Sequence, residues 1–141
     1  MEVQKSCGLI LFDQNCKVLL LQGRHKHWWF PKGHREQWES CFETALRELK
    51  EETWLEPEDI EVRSNLNFSD EYIFTLDSKR ILKFVDYFVG ELKSGFEDKI
   101  KIDGKEIYAW QVLPIHEALK LLDFKNQRDI LQRAYANFYK V

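Results

Sequence analysis

No apolar run in these 141 residues approaches the roughly 20 needed to cross a bilayer as a helix, so no span of that kind is encoded. The opening Met1-Glu2-Val3-Gln4-Lys5 lacks the charged-then-apolar order of a secretory signal. Cysteine is sparse. Cys7, Cys16 and Cys41 are odd in number and form no C-x-x-C pair, which argues against a disulfide framework and for a reducing, cytoplasmic setting. Repeats, low-complexity tracts and Pro/Ser-rich linkers are absent, so a single domain over residues 1–141 is expected. A net charge of −3 excludes a general nucleic-acid-binding surface but not a local seat for an anion.

What is present is a soluble, core-forming composition, 44% apolar and 14% aromatic, with a very uneven charge pattern. From Arg24 to Arg35 the chain reads RHKHWWFPKGHR, with Arg24, Lys26, Lys32 and Arg35 cationic and no acid. Acids follow at fixed intervals: Glu39, then Arg47-Glu48-Leu49-Lys50-Glu51-Glu52. On a helix Glu48, Glu51 and Glu52 fall at i, i+3 and i+4 and share one face. Carboxylates that close repel unless a cation sits among them. Hard divalent ions favour oxygen ligands and bring phosphates with them. A basic segment against such a cluster is suited to a polyphosphate held by cations and metal together. Taken alone, the basic run reads equally well as a solvated loop.

The flanking pattern is that of an α/β protein. Cys7 to Phe12 and Lys17 to Leu21 read as a buried hairpin. Ser40-x-x-Glu43 is a capping box that opens a helix, with Phe42, Ala45, Leu46 and Leu49 as its core-facing stripe. Pro57 stops any continuation. Glu61 to Leu76 and Arg80 to Leu92 read as long strands around Asp77-Ser78-Lys79, and Lys93 to Lys105 as a polar loop. Ile107 to Leu113 is a further strand. Pro114 fits the first turn of a second helix. A third helix starts near Asn126 and carries Ile130, Leu131, Ala134 and Phe138. Strands interspersed with three helices imply an α/β sandwich on a mixed sheet.

Gly33, Glu39, Arg47, Glu48, Leu49, Glu51, Glu52 and Leu55 match the signature of the Nudix hydrolases, which runs G-x5-E-x7-R-E-U-x-E-E-x-G-U with U aliphatic. Cys7-Gly8-Leu9-Ile10, His27-Trp28, Phe30-Pro31-Lys32-Gly33-His34, Tyr72, Tyr87 and Trp110 further resemble the asymmetric diadenosine tetraphosphate hydrolases of that family. The resemblance implies an α/β/α sandwich that cleaves a nucleoside-polyphosphate linkage with Mg²⁺ or Mn²⁺. It implies Gly33 (through its carbonyl), Glu48, Glu51 and Glu52 as metal ligands, Glu52 as the favoured general base, and Arg47 as the residue orienting the helix. Lys32, with His27 and Lys83, would contact the polyphosphate. Tyr72 and Tyr87 would hold the base, with Phe74 able to replace either. Glu106 is the position available for a further carboxylate. The nucleotide partner expected is diadenosine tetraphosphate, with a triphosphorylated RNA 5′ end or another nucleotide as the alternative substrate.

Three tryptophans depart from the family pattern. Trp29, Trp38 and Trp54 stand where relatives carry glycine. Glycine is also scarce, six residues against an average near ~7%, which agrees with the alternative that Trp29, Trp38 and Trp54 are glycines misread through a reassigned codon. At a helix end or tight turn that glycine typically adopts positive φ, which a bulky residue does at a cost of about 1–2 kcal/mol. Strain or crowding of the phosphate loop at these three places is therefore expected, and with it the alternative of a catalytically weakened nucleotide-binding module.

Overall fold

The computed structural model describes residues 1–139. Seven strands form one mixed sheet: β1 (Glu2–Phe12), β2 (Lys17–Gly23), β3 (Trp28–Trp29), β4 (Lys32–His34), β5 (Ile60–Leu76), β6 (Lys79–Leu92) and β7 (Ile107–Pro114). The main path runs β3-β2-β1-β6-β5, with β4 paired to β1 and β7 paired to β2. Among the described residues only the β1–β6 pair is parallel. Among these residues no helix is long and apolar enough to cross a membrane.

Strand alternation on β1 separates two cores. Cys7, Leu9 and Leu11 point to α1 (Cys41–Thr53), where they meet Ala45 and Leu49. Ile10 and Phe12 point to the opposite layer, built by α2 (Ile115–Leu121) and α3 (Lys125–Phe138) through Ala118, Ile130, Leu131, Ala134 and Phe138. The sheet is thus sandwiched between helices, as the sequence pattern predicts. Pro114 stands just before α2 rather than in its first turn.

The capping box is formed. Ser40 Oγ accepts from the Glu43 N–H at 3.1 Å, and Glu43 Oε1 accepts from the Ser40 N–H at 2.8 Å. The predicted apolar stripe is corrected at one position: Phe42 is exposed, its ring edge-on to Phe88, and Thr44 takes a buried place instead. The hydroxyl there is satisfied by Glu39, so its burial is inexpensive. Two further corrections concern segments read as loops. The basic run contains β3 and β4, and Phe96 and Ile100 of the Lys93–Lys105 segment are buried in the core beneath α1.

The reading of the cysteines is also corrected. Cys7 and Cys41 form a disulfide with their Cα atoms 5.5 Å apart, and Cys16 is free. The α1-facing side of β1 meets the first turn of the helix there, a proximity that 34 residues of separation conceal. The inference of a reducing setting loses its support accordingly.

Of the three tryptophans, Trp54 alone has positive φ, at 70°, as the left-handed residue closing α1. Its N–H donates to the Lys50 carbonyl at 2.8 Å, and its ring is exposed near the Lys101 ammonium. Trp38 projects into solvent. Trp29 sits in β3 with its ring over Gly23, where an added Cβ would come within 2.6 Å of the indole. The expected backbone strain is therefore confined to one helix end. Trp54→Gly is expected to raise stability by about 1 kcal/mol, since glycine closes a helix in this conformation without steric cost. Urea denaturation of the two proteins checks it; an unchanged or lower midpoint would show that the indole contributes more than the backbone loses.

Candidate active site

The β4 strand delivers Lys32, Gly33 and His34 to the same edge that α1 reaches with its acidic face. Gly33 pairs with Cys7 on β1, so its position is fixed by the sheet. A Cβ at Gly33 would lie 1.9 Å from Glu48 Cδ and 2.2 and 2.3 Å from its two oxygens. The missing side chain is the space that the Glu48 carboxylate occupies.

Arg47 ties this corner together. Its Nε and Nη2 donate to the two oxygens of Glu39 at 2.6 and 3.0 Å. Nη2 also donates to the His34 carbonyl at 3.0 Å, and Nη1 to Glu48 and Glu51 at 3.0 and 3.1 Å. Glu39 is buried and also accepts from the Glu36 N–H and the Thr44 hydroxyl. Arg47 first, then these neutral donors, hold its carboxyl down to about 2. The upstream Glu39 of the sequence pattern is thus the anchor of the arginine. Glu43, the other i, i+4 partner available to Arg47, is engaged in the cap instead.

An acidic cluster and a basic cluster face one another at the site. On the acidic side, burial and then the charge of Glu48 push Glu52 up to about 8. Glu48 is raised by burial and by Glu51. On the basic side, burial and then Lys83 bring Lys32 down to about 8. Lys83 is lowered by burial, and His34 by burial and both lysines. The two groups meet where the Lys32 N–H donates to Glu52 Oε1 at 3.1 Å. Each cluster disfavours its own charged state, as expected where a cation and an anion complete the electrostatics. Among the described residues no three metal-ligating side chains converge into a ready cage. Arg47 takes a share of Glu48 and Glu51, and Glu52 turns to Lys32. The donor set is all carboxylate, which suits a hard divalent ion.

Beside Lys32 opens a cavity of about 490 Å³. Tyr72 and Phe74, two apart on β5, share one face with ring centroids 6.0 Å apart and line it together with Trp29 and Phe124. His27 stands at the rim, with Nδ1 2.5 Å from Asp123 Oδ2 and its ring against Phe124. Tyr87 reaches the cavity wall from the core, where it is 2% exposed and edge-on to Phe30. Lys83 is buried across from Tyr72 in the strand register, its Nζ 3.4 Å from His34 Nε2. Glu106 stands apart. It is exposed in the turn before β7, its N–H held by Asp103, with no hydrogen bond or ion pair to the acids of α1 among the described residues.

Sequence reasoning missed Asp70, Ile73, Phe124, Lys125, Asn126 and Gln127, which complete the cavity. They come from the middle of β5 and the start of α3, and no spacing rule links those segments. It also left His34 unassigned, although the residue adjoins Gly33 in the basic run.

Residues 3–134 match the NUDIX domain. The asymmetrical bis(5′-nucleosyl)-tetraphosphatase of Mus musculus is 31% identical over 93% of this chain and 92% of its own length. That of Rattus norvegicus is 32% identical over the same shares. Among solved structures, a binary complex of C. elegans Ap4A hydrolase superposes with a TM-score of 0.81 at 25% identity, covering 96% of each chain. The chain belongs to the NUDIX domain family and is a hydrolase acting on phosphorus-containing acid anhydrides.

Proposed function

We propose that this enzyme hydrolyses diadenosine tetraphosphate asymmetrically to ATP and AMP, by attack of water on phosphorus. The observation that carries the reading is the double engagement of Lys32. Its side chain lines the aromatic cavity, while its N–H is held by Glu52 of the acidic helix. A nucleoside in the cavity therefore places its phosphates along the basic cluster and toward the carboxylates. The names of the mouse and rat relatives and of the C. elegans structure support the same substrate.

In this reading Glu48, Glu51, Glu52 and the carbonyl of Gly33 hold Mg²⁺ or Mn²⁺. The ion, when bound, neutralises phosphate oxygens and acidifies a water molecule. Glu52, at the junction of the acidic helix and β4 where its Oε1 accepts from the Lys32 N–H, would be the acceptor for the proton of the attacking water. Arg47 positions Glu48 and Glu51 while its other arm is fixed to Glu39 and His34. Lys32 and Lys83 bind the polyphosphate, whose charge offsets their mutual repulsion, and His27 meets it at the rim. Tyr72, with Phe74 beside it, stacks on the base, and Tyr87 supports that wall from the core.

Incubation with diadenosine tetraphosphate and Mg²⁺ is expected to give ATP and AMP in equal amounts, with the reaction abolished by a chelator. Run in ¹⁸O-labelled water, the label is expected in only one of the two products. ADP as the sole product, or no product, would overturn the assignment.

A further inference from the structure

Cys7 holds both ends of the segment that joins β4 to α1. Its backbone pairs with Gly33 in the sheet, and its sulfur is bonded to Cys41, the first residue of α1. The segment closed in this way carries His34 and Glu39, the two groups that anchor Arg47. Arg47 in turn holds Glu48 and Glu51. The seat of Glu48 has no slack, since one carbon added at Gly33 would overlap its carboxyl. A covalent tie at the first turn of α1 therefore fixes the helix against β4 where the acids must keep their register. The other contacts of α1 do not pass through the sulfurs. Leu9 and Leu11 pack on Ala45 and Leu49, Ser40 and Glu43 form the cap, and the Arg35 N–H donates to the Lys5 carbonyl at 3.0 Å. Opening the bond thus loosens one corner and leaves the fold in place.

We propose that the Cys7–Cys41 disulfide is a redox-sensitive clamp on the metal-binding corner, closed when oxidised and opened by a thiol reductant. Cys7 is fully buried and Cys41 half-buried, so the incoming thiolate meets Cys41 first. It attacks Cys41 Sγ and forms a mixed disulfide, while the Cys7 sulfur leaves with the electron pair and takes a proton. A second reductant thiol then displaces Cys41 as a thiol and departs in the reductant's own disulfide. The chain gains two electrons and two protons, and the reductant loses them. This inference rests on the metal-dependent reading above.

The test compares protein oxidised with glutathione disulfide and the same protein reduced with dithiothreitol, each freed of reagent and kept from air. Peptide mapping after alkylation is expected to find Cys7 joined to Cys41 in the first form only. On reduction the calorimetric affinity for Mg²⁺ is expected to fall roughly 10- to 100-fold, the range for losing a group that orients metal ligands. The Mg²⁺ concentration for half-maximal cleavage of diadenosine tetraphosphate should rise to match. The metal-free thermal midpoint should drop by roughly 5–15 °C, as opening a link across 34 residues predicts. Reoxidation should restore all three. Cys41→Ala is expected to behave as the reduced wild type under both conditions, and Cys16→Ser to keep the full response. Absence of the Cys7–Cys41 link after oxidation overturns the proposal, as does a response that persists in Cys41→Ala. A lowered midpoint with unchanged Mg²⁺ affinity also overturns it, because the bond is then only structural. Should neither form cleave the dinucleotide, the substrate reading falls and the Mg²⁺ affinity decides alone. A redox-dependent affinity sustains the clamp, and equal or absent binding in the two forms overturns it.

Discussion

Glu52→Gln is expected to slow hydrolysis of diadenosine tetraphosphate by roughly 100- to 10,000-fold while making the metal-free protein more stable above neutral pH. In the proposed mechanism the kinetic loss follows from removing both a carboxylate ligand and the proton acceptor. The gain in stability follows from the sign of the Glu52 shift. Its carboxyl titrates near 8 in the folded chain, against the ordinary 4.5. Protonated Glu52 therefore favours folding; that contribution is complete below about 4.5 and is lost as pH rises through about 8. The loss is on the order of a few kcal/mol. Glutamine keeps the acceptor for the Lys32 N–H at 3.1 Å but never charges. The variant-minus-wild-type difference in thermal midpoint should therefore widen from pH 5 to pH 9. Lys32 moves the opposite way, its buried ammonium being relieved above about 8; the Glu52 charge supports that ammonium, so the difference between the two proteins cancels only part of it. Mg²⁺ should narrow the gap by stabilising the wild type more than the variant. A gap that is flat with pH would mean that the Glu52 charge is compensated within the protein itself.

The parts of this site that lie close together in sequence were legible there. Glu39, Arg47, Glu48, Glu51 and Glu52 belong to one helix and its cap, so a spacing rule brings them together before any tertiary contact is known. The role of Glu39 as the anchor of Arg47 was less visible. It depends on a turn that buries the carboxylate under Thr44 and the Glu36 N–H. On β6 two interleaved sets, Ile81, Lys83, Val85, Tyr87 and Val89 against Leu82, Phe84, Asp86, Phe88 and Gly90, are both largely apolar. Alternation alone does not say which set turns inward. The odd-numbered set does, which carries Tyr87 into the core and Lys83 to a buried position beside His34. Gln127 and Phe124 meet β5 only because α3 packs across the sheet, and Cys7 meets Cys41 for the same kind of reason. Long-range packing is what the local patterns leave undetermined. The tryptophans make the converse point. Three residues out of pattern predict three strained sites, yet only Trp54 adopts positive φ, because Trp29 lies in a strand and Trp38 in an open turn.

Gly33→Ala is expected to remove most of the activity, roughly 100-fold or more, while leaving the thermal midpoint nearly unchanged. Gly33 does not have positive φ, so alanine imposes no backbone strain there. The three atoms nearest the added Cβ all belong to the Glu48 carboxyl, at 1.9 to 2.3 Å. That group is the far end of a flexible side chain and swings aside at little cost to folding. In doing so it leaves its bond with Arg47 Nη1 and its place beside the Gly33 backbone. A displaced ligand of this kind costs rate by misplacing the reacting groups rather than by unfolding the site. The Mg²⁺ concentration giving half-maximal rate should rise in the variant, which separates a moved ligand from a general loss. Gly8 supplies the contrast on the neighbouring strand. A Cβ there would lie 2.5 Å from the Pro31 carbonyl oxygen and 2.7 Å from Lys32 Cβ, within the sheet itself, so Gly8→Ala loses stability together with activity. Wild-type turnover in Gly33→Ala, at an unchanged Mg²⁺ requirement, would remove Glu48 from the metal-binding set and leave Glu51 and Glu52 to hold the ion.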